Sequence, residues 1–161
     1  MTHTSTVLFG IEAGTLKGLD TLKWTLNGLK KFSEILSIST IVQTNSNGDN
    51  SIVRAVLKAG VSLKPEQIIQ ELSTLEFEYN ENIKILETMR TFLLTYDQRV
   101  YLTPTLILPH PQLTENHAWL YCSWEVWRNY RHPILDLTLD QLISRNSIEN
   151  VEFFSQAKSL T

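Results

Sequence analysis

The chain has 161 residues, 42% hydrophobic and 19% charged, with a formal net charge of −3. That is enough to bury one core, and it leaves no excess of Lys and Arg to meet a phosphate backbone, which argues against general nucleic-acid binding. The longest unbroken apolar run, Ala118 to Cys122, is far below the roughly 20 residues of a membrane helix, and the single Cys122 excludes an intrachain disulfide or a thiolate metal cluster.

Thr6 to Phe9, closed by Gly10, reads as a first strand. Leu16, Leu19, Leu22, Leu26, Leu29 and Phe32 then recur at three and four residues and predict a helix from about Leu16 to Ser33. Leu36, Ile38, Thr40 and Val42 alternate, as one half-buried strand over Ile35 to Thr44 requires. Asn45 to Asn50 is turn-forming, and a third strand is expected from Ser51 to Gly60. Pro65 and Glu66 open a second helix that Ile68, Ile69, Leu72, Leu75 and Tyr79 carry to about Asn80.

Glu81 to Arg90 reads as loop or frayed helix, Phe92 to Tyr96 and Arg99 to Leu102 as short strands, and Leu108 to Pro111 as a loop. A short helix is expected within Pro111 to His117, an aromatic-rich segment over Trp119 to Tyr130, and a last helix over Thr138 to Ile143. The tail from Ser144 is mostly polar and is expected to be partly disordered, with Phe153 and Phe154 available to dock. The order β-α-β, β-α-β predicts a single α+β domain over residues 1–161, a ferredoxin-like sandwich with helices packed on a mainly antiparallel sheet. With no basic region ahead of the first apolar run, the chain reads as cytoplasmic.

Residue types alone give little chemistry. Cys122 near His117 and His132 is the sole local nucleophile candidate, and it reads as a buried small hydrophobe. His3, His110, His117 and His132 show no zinc spacing, so no metal is expected on these grounds. Gly10-Ile-Glu-Ala-Gly14 follows a strand as phosphate loops do, but without their Lys-Ser/Thr it reads as a tight turn. Tyr121, Trp124, Trp127 and Tyr130 fall three apart, a spacing that makes either a core stripe or, with Arg128 and Arg131 beside them, a surface for a protein partner or self-association.

Three segments in order carry a resemblance: Ile35 to Thr44, Val61 to Leu72 with Leu75-Glu76, and Tyr96 with Leu106-Ile-Leu-Pro-His-Pro111. Glu125-Val126 and His132-Pro133 extend it, so that about residues 5–145 resemble the 6-hydroxymethyl-7,8-dihydropterin pyrophosphokinases of folate biosynthesis. The resemblance implies a ferredoxin-like α+β fold and transfer of a diphosphate from ATP to a dihydropterin, with Mg²⁺ held by Asp-x-Asp on a strand and His110 and Lys84 on the phosphate side. Counted back from Leu108-Pro-His-Pro111, the two Asp positions are Arg90 and Phe92. Arg54 stands where the family's pterin-reading Asn is expected, beside Thr44. Ala118 stands where its stacking Phe is expected, with Trp119 next door as the substitute. Glu76 is retained. The family's Arg-rich catalytic loop maps to Asn80 to Glu87, with Lys84 its only cation.

The expectation is therefore a family scaffold with degenerate Mg-ATP and pterin sites. The substrate side falls to Thr44, Arg54 and Trp119, the phosphate side to His110, Lys84 and Arg90, and no residue is assigned to a metal. Magnesium and ATP enter only if the family activity persists. The role left is holding a pterin-like or anionic small molecule, or a protein through Tyr121 to Tyr130. The alternatives are an active enzyme whose metal site is rebuilt from Glu12, Asp97 or Glu76, and a structural or regulatory subunit.

Overall fold

In the computed structural model, which describes residues 4–44, 51–82 and 89–161, the elements run β1 (Ser5–Gly14), α1 (Gly18–Leu29), β2 (Ser33–Ile38), β3 (Ile41–Thr44), β4 (Ile52–Val61), α2 (Pro65–Asn82) and β5 (Met89–Tyr96). A small hairpin of β6 (Tyr101–Thr103) and β7 (Leu106–Leu108) follows, then α3 (Gln112–Glu115), α4 (His117–Val126), the two-residue strands β8 (Arg131–His132) and β9 (Leu137–Thr138), α5 (Leu139–Arg145), β10 (Glu152–Ser155) and a terminal 3₁₀ turn, Ala157–Leu160. The main sheet has the order β10-β3-β4-β1-β5, with β2 also on β4, and every pairing in it is antiparallel.

Strand alternation sorts the sheet into two faces. Val7, Phe9, Ile11 and Ala13 of β1 and Val53, Ala55 and Leu57 of β4 pack with Leu22, Leu26, Ile68 and Leu72 of α1 and α2. Leu8, Val56 and Leu94 point the other way, against Trp119, Leu120, Tyr130 and Leu139. The α+β architecture expected from the sequence is present, with a layer on each face.

Four local expectations change. β1 does not turn at Gly10: it continues to Gly14, because Ile11 and Ala13 are buried in the α1/α2 layer and register against Ala55 and Val53. The single strand expected over Ile35 to Thr44 is two, broken at Ser39 and Thr40, where the Thr40 hydroxyl donates to Glu125 Oε2 at 2.8 Å and its N–H to Oε1 at 3.3 Å. Leu16 is 83% exposed and lies outside α1. The tail is ordered: β10 extends the sheet beyond β3, and Leu160 buries itself in the α1/α2 layer, so backbone pairing and one apolar anchor override its polar composition. The turn-forming stretch 45–50, Lys84 and most of the expected loop 81–90 lie outside the described residues.

Candidate active-site cleft

The face that carries α4 gathers most of the residues singled out by sequence. Glu12 on β1 is the cross-strand partner of Arg54 on one side and Arg90 on the other, and one pair along, Gly10 partners Val56 and Phe92. Cross-strand partners share a face. Arg90 and Phe92, the positions counted as the family's two aspartates, therefore lie on the same side of the sheet as Arg54.

Arg54 is nearly enclosed. Its Nε donates to Glu12 Oε2 at 2.8 Å, both side chains being 12% exposed, and its Nη1 donates to Thr44 Oγ1 at 2.5 Å. The guanidinium carbon stands 5.4 Å from the centre of the Trp119 ring, a cation–π contact. Trp119 itself is 1% exposed. It is turned onto the sheet rather than into open space: a Cβ on Gly10 would lie 3.0–3.2 Å from three carbons of its six-membered ring. This is the close approach that a glycine permits at that place on β1.

Phe92 continues the row, with its ring 5.6 Å from Trp119 on one side and 5.6 Å from His110 on the other, both edge-to-face. His110, which follows a cis Leu108-Pro109 bond, is held by two hydrogen bonds: its N–H donates to Leu94 O at 2.8 Å, and its Nδ1 accepts from Gln112 N–H at 3.1 Å. Nδ1 being an acceptor, Nε2 carries the proton of the neutral ring. Burial lowers the pKa of His110, against an opposing pull from Glu115, which favours that neutral form.

Two cavities flank this row. One, of about 530 Å³, is mostly apolar and is lined by Ile69, Leu72, Leu93, Leu106, Phe92 and His110 among others. Glu76 sits on its wall, with Oε1 accepting from Thr91 N–H at 2.7 Å and from the Thr91 hydroxyl at 3.1 Å. The other, of about 400 Å³, is polar and is lined by Thr44, Arg54, Asn116, His117, Ala118 and Glu149 among others. Asn116 caps α4, accepting from Ala118 and Trp119 N–H, and the Glu149 N–H donates to His117 Nδ1 at 3.0 Å.

Sequence reasoning missed Glu12 as the counter-ion of Arg54 and missed the tail residues at the second cavity. The first relation depends on strand register and the second on where the tail returns. It also placed Tyr121, Trp124, Trp127 and Tyr130 on one helical stripe. α4 ends at Val126, so Trp127 and Tyr130 leave that stripe: Tyr130 is fully buried, Trp127 packs on it under Lys58, and Trp124 donates to Asp140 Oδ1 at 2.9 Å.

The residues do not fit a magnesium clamp of the kind the family resemblance implies. A guanidinium and a phenyl ring, Arg90 and Phe92, supply none of the hard oxygen ligands that Mg²⁺ requires. Among the described residues no group of three or more His, Cys, Asp or Glu is placed to hold a metal ion. Nor is any helix among them long and apolar enough to cross a membrane.

No family model matches the chain. A curated relative does: the 2-amino-4-hydroxy-6-hydroxymethyldihydropteridine pyrophosphokinase of Aquifex aeolicus (strain VF5) is 25% identical over 151 residues, 90% of this chain and 94% of the relative. Among solved structures, Plasmodium falciparum wild-type HPPK-DHPS with pterin and p-hydroxybenzoate superposes with a TM-score of 0.71 at 10% identity, over 89% of this chain and 42% of that one. A variant of the same protein with SDX-DHP gives 0.75 at 10% identity, over 94% and 49%. The chain thus spans less than half the length of those two HPPK-DHPS chains. Across nearly its whole length this chain is similar in sequence to a 2-amino-4-hydroxy-6-hydroxymethyldihydropteridine pyrophosphokinase, and it shares the fold seen in the HPPK-DHPS structures.

Proposed function

We propose that this chain is a ligand-holding member of the family without metal-dependent diphosphoryl transfer. One observation carries the reading: across the row Arg54–Glu12–Arg90 the carboxylate is bound by a guanidinium, and the next position on that face of β5 is Phe92. Diphosphoryl transfer runs on positioning and on neutralising developing charge. In this row of described residues that neutralisation falls to the guanidinium groups of Arg54 and Arg90, and Arg54 is already paired with Glu12.

The other carboxylates support the same reading. Asp97 Oδ1 accepts from Thr6 N–H at 2.9 Å, at the opposite end of β1 from Glu12. The six residue steps from Thr6 to Glu12 place those ends about 20 Å apart at roughly 3.3 Å per step. Glu76 is held by Thr91. A metal site rebuilt from Glu12, Asp97 or Glu76 would draw on a carboxylate already engaged by Arg54, Thr6 or Thr91.

The apolar cavity beside His110 suits a nucleobase, with the imidazole Nε2–H available to a phosphate or ring acceptor. The polar cavity offers the remaining Arg54 donors to the acceptor edge of a flat heterocycle such as a pterin. Calorimetric titration with ATP, with and without Mg²⁺, tests the reading. Equal affinity in both supports it, and an affinity at least about tenfold tighter with Mg²⁺ overturns it, since that factor is a coupling the row of residues above cannot supply.

A further inference from the structure

The two helices on the face away from α4 carry opposite charge. α1 and the two residues after it expose Lys23, Lys30 and Lys31, with Asp20 the single carboxylate of that stretch. The terminal 3₁₀ turn packs beside α1 and adds the exposed Lys158. α2 exposes Glu66, Glu71, Glu78 and Glu81 and contains no Lys or Arg. A helix that faces water alone commonly alternates the two signs; here they are sorted, one sign to each helix. Among the described residues no ion pair joins Lys23, Lys30 or Lys31 to a carboxylate of α2. Glu78 and Glu81 also lie near the C-terminal end of α2, where the helix dipole is already negative and no basic side chain of the last turn answers it. Phe77 stands among these carboxylates with 65% of its surface exposed.

We infer that this face pairs two copies of the chain across a two-fold axis lying along the groove between α1 and α2. That groove has Gly28 and Lys31 on one side and Glu71, Thr74 and Glu78 on the other. Rotation about such an axis lays α1 of each copy on α2 of the other, so one match of charge is made twice, as an isologous interface requires. Positions along the axis do not change. Within one copy the helices run antiparallel: the hydroxyl of Thr21, early in α1, lies 2.9 Å from that of Tyr79, late in α2, and Gly28 meets Leu75. The same register sets Lys23 of one copy opposite Phe77 and Glu78 of the other, and Lys30 and Lys31 opposite Glu71. An ammonium group there meets both an aromatic ring and the negative end of a helix. A different partner would need its own pair of opposite stripes at this spacing, which a second copy has by construction.

The helices have 12 and 18 residues, so they are about 18 and 27 Å long and about 20 Å across together. Their footprint is about 450 Å² per copy and about 900 Å² in all, below the roughly 1,200–2,000 Å² of stable complexes, so the pair is a weak one. The row of Arg54, Glu12 and Arg90 is on the opposite face of the sheet and stays uncovered, so the inference is independent of what the cleft holds.

Sedimentation velocity of the full chain over a range of concentrations tests it. In about 10 mM salt a dimer half formed at about 50–500 µM is expected, as suits an interface of this size. In about 0.5 M salt the Debye length falls from about 30 Å to about 4 Å, and the dissociation constant should rise at least about tenfold. A monomer at every concentration overturns the inference and leaves the stripes to a partner of another kind, and a dimer indifferent to salt overturns it as well.

Charge exchange fixes the face. Lys23→Glu/Lys30→Glu sets carboxylates opposite the α2 stripe, and Glu71→Lys/Glu78→Lys sets lysines opposite the α1 stripe. Each variant alone should be monomeric, and an equimolar mixture of the two should pair at least as tightly as the unmodified protein. A mixture that does not pair, or a dimer of either variant alone, overturns the inference. If a variant fails to fold, amide NMR shifts of the unmodified protein followed with concentration decide instead. Changes confined to α1 and α2 support the pairing, and changes centred elsewhere, as on the β6–β7 hairpin or on Tyr121 to Trp127, overturn it.

Discussion

Replacing Glu12 by Ala strips the buried guanidinium of Arg54 of its counter-ion. The pair is 2.8 Å from N to O with both side chains 12% exposed, and removing one partner of a buried pair costs about 3–5 kcal/mol because the other charge stays desolvated. Arg54 keeps its bond to Thr44, its contact with Trp119 and some access to water, so the lower end applies: about 3 kcal/mol, a large part of the roughly 5–15 kcal/mol that holds a domain folded. Arg54→Met alone leaves the Glu12 carboxylate desolvated and should cost a similar amount. The double variant Glu12→Leu/Arg54→Met removes both charges and should lose no more than about 1 kcal/mol, since replacing a whole buried pair by apolar groups is often close to neutral. Urea unfolding followed by circular dichroism, extrapolated linearly to water, measures all three. The expected coupling is several kcal/mol. Additive losses, with Glu12→Ala below about 0.5 kcal/mol, would refute the argument that this pair is buried and mutually dependent.

Gly10→Ala should cost about 1–3 kcal/mol in the same assay, as overpacking does, because the new methyl meets a Trp119 ring at 3.0 Å that Phe92 and Arg54 hold in place; a neutral or stabilising result would mean the ring moves freely. Burial lowers the pKa of the His132 imidazole, whose Nδ1 accepts from Ile134 and Leu135 N–H, and also that of His110 despite the opposing Glu115. The unfolded chain then binds more protons below about pH 6.5, so stability is full above that pH and falls as pH drops toward the folded values. His132→Gln should flatten the loss between pH 7 and 5 in urea titrations, and an unchanged slope would contradict the assignment. Cys122 is fully buried, with its thiol pushed up to about 12 by burial. At pH 8 a thiol reagent such as DTNB should therefore label it only as fast as the protein opens, and immediate labelling of the native protein would show the α4 face to be loose.

The elements held by local pattern were legible in the sequence. The three-and-four spacing of Leu22, Leu26 and Leu29 marks α1, and Pro65 with Glu66 marks the start of α2. What escaped depends on partners far along the chain. β1 runs through Gly10 because Trp119 covers it and Ile11 has a place in the core. The strand pair β2 and β3 breaks where Glu125 ties Thr40. The tail becomes an edge strand through main-chain bonds to β3, which its side chains do not announce. The cleft was legible in parts. Arg54, Thr44, His110, Phe92 and Trp119 were singled out one at a time through the family resemblance, whereas the shared face of Thr44, Arg54 and Phe92 follows from the antiparallel register of β3, β4, β1 and β5, and Trp119 and His110 meet that face from α4 and the loop after β7. Register also shows that Arg54 meets Glu12, a pairing without which the guanidinium would read as a free anion site.

The most direct test of the central claim is a transfer assay: the protein with ATP, Mg²⁺ and 6-hydroxymethyl-7,8-dihydropterin, with AMP release followed by chromatography against a protein-free control. The arrangement of Arg54, Glu12, Arg90 and Phe92 predicts no AMP above the control. Sustained AMP release that depends on both Mg²⁺ and the pterin would contradict it, and would require a metal site assembled from other carboxylates.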